Sequence, residues 1–210
     1  MDLATMRARL RADLRDEDTA NERWSDDTLD RHIARAVQEL SLAAPREVTA
    51  TLTTSAGSRD VSVASLTNRV TIEAVEYPAG QYPPEYSPYS AWGDTLTLLV
   101  DGPPGADEDV IVRYGALHVL DADGTTLPDR LLDLVAAGAA AYAAIEWASY
   151  ATNRINLGGD DTWRHYHTWG QERLAAFSKG LAKHGRERGL RARRLYLPAA
   201  GALGARPLEG

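Results

Sequence analysis

The five histidines are the first residues of this sequence to test for chemistry, since they could hold a metal ion or move a proton. His165 and His167 are two residues apart on a predicted helix, so their side chains point to different faces and do not share one ion. His32 and His118 each stand alone beside apolar residues, where a histidine is more often a core or interface residue than a catalytic base. The sequence therefore predicts no metal site and no histidine base.

Acidic pairs and known catalytic motifs give no stronger sign of an enzyme. The chain has no cysteine, which excludes thiolate catalysis and disulfides and fits a reducing compartment. It has no phosphate-binding loop, no G-x-S-x-G and no G-x-G-x-x-G after a strand. We therefore predict a protein that is not an enzyme and needs no cofactor, with a carboxylate hydrolase as the least supported alternative. The acidic pairs fall at predicted helix starts or in a turn, where capping and solvation explain them: Asp26 with Asp27, Asp107 with Asp109, and Asp160 with Asp161.

An aromatic segment at residues 77–94, YPAGQYPPEYSPYSAWGD, is the strongest candidate for binding. Tyrosine and tryptophan are enriched where protein surfaces are buried on association, and their rings also stack on sugars or peptides. The segment is thus either a contact to another subunit or a ligand platform. The candidate side chains are Tyr82, Tyr86, Tyr89 and Trp92.

Charge is unevenly distributed along the chain. The formal net charge is −7, yet residues 179–194, KGLAKHGRERGLRARR, contain only one acidic residue, Glu187. An acidic body repels nucleic acid, whereas the basic run either binds a partner or is simply a solvated helix end. A DNA-binding role for this run is a further alternative, and it would require affinity that falls steeply with salt. The candidates for partner contact are Arg186, Arg188, Arg191, Arg193, Arg194, Leu195, Tyr196 and Leu197.

Two helices are predicted in the first 46 residues. Ser25 is a suitable N-cap for the second helix, and Trp24 before it can pack on Leu29 as a hydrophobic staple. Pro45 marks the exit from this helix. The apolar residues at helical spacing are Leu3, Met6, Leu10 and Leu14 in the first helix and Leu29, Ile33, Val37 and Leu40 in the second.

From Glu47 the hydrophobic period becomes two, which predicts a compact antiparallel sheet or small barrel. Turn sequences such as SAGS, YPAG and DGPPGADED separate the runs. Five strands are predicted, at residues 47–54, 59–65, 69–77, 94–100 and 109–120.

The helical period returns after Pro128. The segment at 131–154 is rich in alanine and glycine, which allows close helix approach and predicts a central helix. Asp160 or Asp161 is expected to cap a last helix that continues to about Gly185. The fold is predicted as α+β, a helical bundle with an inserted antiparallel β subdomain and an extended C-terminal arm. The expected divisions are 1–46 and 121–185 for the bundle, 47–120 for the insert and 186–210 for the arm.

No segment predicts a membrane or secretory location. The start, MDLATMRARLRADL, mixes charged and apolar residues, so we expect no signal peptide. The longest apolar run, Leu134 to Ile145, is shorter than the roughly 20 residues that cross a bilayer. We therefore expect no membrane partner.

The sequence resembles the head-to-tail connector (adaptor) proteins of tailed bacteriophages. The resemblance begins with RARLRADLRDEDTANERWSDDTLDRHIARAVQELS, in which a short helix leads through W-S-D into a helix with an I-x-x-A-V core. The inserted strands, the small-residue helix, a long helix with W-x-x-Y at Trp163 and Tyr166, and the C-terminal arm follow in the same order. The resemblance covers most of the chain.

The resemblance implies a structural role in the virion neck, at the head-tail junction, after assembly in the host cytoplasm. Subunits of such proteins form a ring, usually a dodecamer, beneath the portal protein and join it to downstream neck or tail-completion proteins. Genomic DNA passes through the lumen without specific binding. The C-terminal arm is then the expected portal contact and residues 77–94 an intersubunit or neck contact, with a carbohydrate- or peptide-binding module as the alternative.

Overall fold

The computed structural model describes residues 1–151 and 162–195, with side chains described as far as Gly189. The described chain forms two compact units, a helical unit of residues 1–46 and 117–185 and a β unit of residues 47–116 together with the end of the last helix from Arg186. The predicted α+β class with an inserted antiparallel β subdomain is confirmed. The helices are α1 (Leu3–Leu14), α2 (Asp26–Ala43), α3 (Asp129–Ala151) and α4 (Thr162–Leu195); the strands are β1 (Arg46–Thr53), β2 (Asp60–Ser62), β3 (Arg69–Glu76), β4 (Tyr89–Trp92), β5 (Thr95–Leu98) and β6 (Asp109–Ala116).

The first two helices begin and end where local chemistry favours it. Asp2 accepts a hydrogen bond from the Thr5 amide at 2.8 Å as the N-cap of α1, and Arg15 closes that helix in the left-handed region at φ 56°. Ser25 caps α2 as predicted, since its Oγ accepts a hydrogen bond from the Thr28 amide at 3.2 Å. These caps satisfy backbone groups that a helix end leaves without partners.

The core of the helical unit is built from one apolar face each of α1, α2 and α4, packed around α3, which is buried on most sides. Burial of such side chains contributes about 1.5–3 kcal/mol each relative to leaving them in water. The tryptophan predicted as a staple, Trp24, lies in this core with only 3% of its surface exposed. The largest buried members are Met6, Leu10, Leu14, Leu29, Ile33, Leu40, Leu131, Val135, Trp147 and Phe177.

Glycines allow α3 and α4 to approach closely. A Cβ at Gly138 would lie 2.9 Å from the ring of Phe177, and one at Gly170 would lie 2.8 Å from Ile145 and 3.2 Å from the Ala141 carbonyl oxygen. Real Cβ atoms do not reach such distances, so any larger residue forces the two helices apart. The small-residue composition of α3 thus has the packing role expected from the sequence.

By length and composition α3 is also apolar enough to cross a membrane, the single such helix in the described part of the chain. Its apolar window is 72% buried inside the protein, however. A core helix surrounded by α1, α2 and α4 explains this composition without a bilayer.

The β unit contains two three-stranded sheets. One has the order β1-β6-β3 and the other β2-β5-β4. In the second sheet Leu96 of β5 lies opposite Val61 of β2 and Ala91 of β4, and both pairings are antiparallel. Inward-facing valines and leucines of the two sheets, with Val63 just after β2, form a separate core. Its members include Val61, Val63, Val75, Leu96, Leu98, Val110 and Val112.

Two details differ from the sequence prediction. The predicted five strands become six, because Tyr89–Trp92 pairs with β5 through a two-residue turn inside the segment expected to be a loop. The last helix also continues ten residues beyond the expected end, to Leu195. Gly185 and Gly189 are tolerated within it, since isolated glycines cost a helix only about 1 kcal/mol each. The expected cap at Asp160 or Asp161 and the arm from Tyr196 onward lie outside the described residues.

His118 joins the end of α2, where the chain leaves the helical unit, to the segment before α3, where the chain returns to it. Its Nε2 lies 3.1 Å from the Ala44 carbonyl oxygen, its Nδ1 lies 3.3 Å from Thr126 Oγ1, and its amide donates to Ser41 Oγ at 2.9 Å. Burial lowers the pKa of His118 below its ordinary value of 6.5. This histidine is therefore a buried structural residue, as its apolar sequence context indicated.

Candidate functional site

The four aromatic candidates of residues 77–94 are not equally exposed. Tyr82 and Trp92 are 98% and 90% exposed, whereas Tyr86 and Tyr89 are half-buried. Tyr89 packs against the β core, and its hydroxyl donates to the Ile72 carbonyl oxygen at 2.7 Å. The backbone of Tyr86 pairs with that of Glu76, the last residue of β3, in an isolated antiparallel β-bridge. The segment thus presents two outward aromatic side chains, and the other two fasten it to the sheet.

Trp92 stands at the end of a firmly braced hairpin. Gly93, the first turn residue, has φ 56°, a conformation that glycine adopts without strain. Arg69 donates to the Gly93 carbonyl oxygen at 2.7 Å and to the Val63 carbonyl oxygen at 3.2 Å. The Val63 amide in turn donates to the Asp94 carbonyl oxygen at 2.9 Å. The turn is therefore fixed to the neighbouring chain while the indole beside it remains in solvent.

The base of the aromatic segment is held by polar contacts. Tyr77 donates its hydroxyl to Glu108, and this hydrogen bond, with some burial, raises the pKa of Tyr77. Ser87 donates to the Tyr77 carbonyl oxygen at 2.8 Å. The buried carboxylate of Glu76 accepts from the Gly80 amide at 3.3 Å and lies 3.4 Å from Arg113 Nη2. These bonds restrict the loop that carries Tyr82.

The basic candidates lie along the end of α4. Lys179 and Arg186 are exposed, whereas Arg188 donates from Nε to Glu73 Oε1 of β3 at 2.8 Å, and both side chains of this pair are largely buried. The ion pair fastens the end of α4 to the β unit. The backbone of Arg191, Arg193, Arg194 and Leu195 is helical, their side chains are not described, and Tyr196 and Leu197 lie outside the described residues.

A cavity of about 620 Å3 opens between the end of α1 and the first turns of α4 in the helical unit. Arg173 lies with its guanidinium 4.4 Å from the ring centroid of Trp169 and 3.6 Å from Asp13 Oδ2. One wall is thus aromatic and cationic. The lining residues are Ala12, Asp13, Leu14, Arg15, His165, Tyr166, Trp169 and Arg173.

Comparison with known proteins identifies the family. The profile described as SU10 adaptor protein matches residues 1–195, nearly the whole chain. The chain belongs to the SU10 adaptor protein family.

Other comparisons add little to this assignment. A solved chain from a structure described as the neck of an empty GTA particle, computed with C6 symmetry, shares 16% identity, with coverage of 80% of this chain and 88% of that chain. The TM-score is 0.30, a level of similarity from which we draw no argument. No curated protein matches the chain.

Family membership confirms the head-to-tail connector predicted from the sequence and its location in the virion neck. The family is one of structural adaptors. In the described residues of this adaptor, no group of three or more histidine or acidic side chains is arranged to hold a metal ion. His165 and His167 are both exposed on α4, and His165 lines the cavity.

Sequence reasoning missed a buried polar network at the start of the adaptor. The carboxylate of Asp16 is almost fully buried and accepts from the Arg23 amide at 2.7 Å and from Arg11 Nη1 at 2.8 Å. Arg11 also donates to the Trp24 carbonyl oxygen at 3.1 Å. This network fixes the loop between α1 and α2. An acidic residue after a helix gives no such signal in the sequence, because its partners are five and seven residues away and outside any helical spacing.

Sequence reasoning also missed the cavity. Its two walls come from residues 12–15 and 165–173, which are about 150 positions apart in the chain. Helical periodicity placed Leu14 and Tyr166 on apolar faces, but it could not show that these faces leave a gap. The cavity therefore becomes visible only from the packing of α1 against α4.

Proposed function

We propose that this adaptor is the subunit of a ring, of twelve copies as in the family it resembles, that docks beneath the portal protein and carries the downstream neck or tail-completion proteins. Genomic DNA passes through the lumen of the ring without specific binding. The observation that carries the proposal is the family match over residues 1–195, which includes both units and the whole of α4.

The charge of the protein suits a conduit. A net charge of −7 disfavours retention of a passing duplex, whereas a basic lining would bind phosphates with strong salt dependence. An excess of basic over acidic residues is found at one end, from Lys179 onward, where a protein partner rather than DNA can use it. An assembled wall built from the acidic body would then release DNA readily.

The portal contact is assigned to the end of the chain. Arg186 is exposed on α4, and Arg191, Arg193 and Arg194 follow on the same helix. Arginine pairs with carboxylates in a two-pronged geometry, and the residues beyond them, Leu195 to Leu197, supply an apolar anchor. Because Arg188 is engaged by Glu73, the other arginines carry most of this contact.

The aromatic segment is assigned to contacts with neighbouring subunits or neck proteins. Tyr82 and Trp92 expose nearly their whole side chains, and tyrosine and tryptophan dominate the binding energy of protein interfaces. The half-buried Tyr86 and Tyr89 contribute by holding the segment in place.

Truncation tests the portal contact. A chain ending at Leu195 keeps the whole of α4, including the Arg188 pair, and removes the apolar arm; a second variant keeps the arm and replaces Arg191, Arg193 and Arg194 with alanine. Co-sedimentation with purified portal, followed by negative-stain imaging, is expected to show rings for the native protein and weaker docking for both variants. Undiminished docking of both variants would contradict the proposed C-terminal portal contact. If the native protein formed no rings in the presence of portal, the proposed ring would be wrong.

A further inference from the structure

Trp92 presents an almost bare indole on a rigid support. The side chain is 90% exposed, although the hairpin turn beside it is fixed by Arg69 and by the amide of Val63. A large exposed apolar surface is unfavourable in water, and a backbone turn held in advance loses little conformational entropy on binding. These are the properties of an anchor that enters a pocket on a partner.

The cavity of the helical unit has the size and chemistry to receive such an anchor. Its volume of about 620 Å3 falls within the range of about 300–1,000 Å3 that is usual for binding pockets. Tyr166 and Trp169 supply aromatic walls, and Arg15 supplies a guanidinium group, whereas Arg173 already packs on Trp169 and lies 3.6 Å from Asp13. Guanidinium groups are attracted to the face of an indole more strongly than to other rings.

Charge also favours the pairing. The only charged residues of the 77–94 segment are acidic, Glu85 and Asp94. The cavity lining has two arginines against one aspartate. Asp94 lies 3.5 Å from Arg69 Nη2, but its side chain is 74% exposed and can also face a second guanidinium. Approach of the hairpin to the cavity therefore brings opposite charges together, which directs the orientation and speeds association.

We propose that Trp92 of one copy enters the cavity between α1 and α4 of the next copy, with Asp94 facing Arg15. The contact joins two different surfaces of the same chain, so it is a head-to-tail contact, and repetition of such a contact closes into a ring when the rotation allows it. The inference rests on the proposed ring function and names the surfaces that would form the ring.

Disulfide trapping tests the geometry directly, because the native chain has no cysteine. Asp94→Cys places a thiol at the hairpin turn, and Ala12→Cys places one at the rim of the cavity on an exposed helix position. The two variants are mixed, alone and with purified portal, and oxidised. A mixed disulfide dimer is expected in the condition in which the protein assembles. Asp101→Cys, an exposed residue elsewhere on the β unit, replaces Asp94→Cys in the control mixture and is expected to give no such dimer.

Two further variants separate the anchor from the fold. Trp92→Ala is expected to weaken assembly about tenfold or more, as loss of an interface hot spot does, whereas Leu99→Ala, at an exposed apolar residue outside the 77–94 segment, leaves it unchanged. Ala12→Trp fills the cavity from an exposed position and is expected to block assembly without lowering the unfolding temperature.

The outcomes distinguish this inference from the ring itself. Rings that form normally with Trp92→Ala and Ala12→Trp, or assembled protein without the mixed disulfide, would overturn the Trp92 contact and leave the ring intact. Dimers linked through Asp94→Cys of both copies would show a symmetric contact instead and would also overturn it. No assembly of the native protein, with or without portal, would overturn both.

Discussion

Trp24 joins three helices through one side chain. Its indole nitrogen donates to the Ala143 carbonyl oxygen of α3 at 3.0 Å, and its ring centroid lies 5.8 Å from that of Tyr166 on α4. Arg23 adds a guanidinium 5.4 Å from the ring centroid of Trp147. The residues just before α2 therefore stabilise the bundle, which is the role expected from the W-S-D pattern.

Loss of the N-cap next to Trp24 should weaken the bundle measurably. Ser25→Ala removes the acceptor of the Thr28 amide, and such losses cost about 0.5–2 kcal/mol. Denaturant unfolding is expected to show this decrease in the free energy of unfolding. Ser90→Ala, an exposed serine of β4, is the matched control and is expected to change it by less than about 0.5 kcal/mol. Equal midpoints for the two variants would contradict the capping role.

Stability should fall when the pH is lowered through the histidine range. Burial lowers the pKa of His118 in the folded state, so below its ordinary value of 6.5 the unfolded chain binds a proton more readily than the folded protein does. The free energy of unfolding therefore decreases as the pH falls below about 6.5 and is unaffected by this group above it.

The His118→Gln variant provides the comparison for that measurement. Glutamine keeps a hydrogen-bonding side chain but does not titrate, so we expect a lower stability overall and a shallower decline between pH 7 and pH 5. Burial also lowers the pKa of His32. Because His32 is still present in the variant, part of the decline in stability with falling pH remains. A slope identical to that of the native protein would show that His118 is not the titrating group.

Two of the glycines of helix α4, the tightly packed Gly170 and the exposed Gly189, provide a matched test of close helix packing. Gly170→Ala forces a methyl group against Ile145 and the Ala141 carbonyl oxygen, and overpacking of this kind costs about 1–3 kcal/mol. Gly189 is exposed with nothing within 4 Å of a Cβ, so Gly189→Ala is expected to stabilise the helix by about 0.5–1 kcal/mol. Thermal unfolding should therefore show a lower unfolding temperature for Gly170→Ala and a higher one for Gly189→Ala. Stabilisation by Gly170→Ala would show that α3 and α4 are not held at this distance.

The helices were predictable because their signals are local. Ser25 caps α2 and Leu131 follows Pro128 into α3, where its amide donates to the Pro128 carbonyl oxygen at 2.9 Å. The short strand β4 was missed because its four residues follow a proline-rich segment and show no alternating burial. Its pairing with β5 depends on the turn at Gly93, and a sequence window of tyrosine and proline resembles a loop.

The candidate site was predictable only in part. The sequence singled out Tyr82, Tyr86, Tyr89 and Trp92 equally, since residue type does not show which ring a sheet will cover. The distinction arises from contacts far along the chain, such as that of Tyr89 with Ile72. The Arg188–Glu73 pair was hidden for the same reason, because its members are 115 residues apart.

At the scale of the whole molecule, the excess of acidic residues predicts weak DNA binding. With 30 acidic and 23 basic residues, the adaptor is expected to show no retention of duplex DNA at about 150 mM salt in a gel-shift or filter assay. Weak binding at low salt through the end of α4 should fall steeply as salt is raised. Binding that persists above about 200 mM salt would contradict a conduit that releases DNA.

The inserted position of the β unit has an evolutionary consequence. Within the β unit, the first and last strands, β1 and β6, are hydrogen-bonded neighbours, so both ends of the insert emerge side by side. Within the helical unit, the His118 bonds hold residues 44 and 118 together in the same way. Matching ends on both sides would let recombination exchange residues 47–116 as a cassette, provided that the new insert supplies a partner for Arg188 of α4 in place of Glu73.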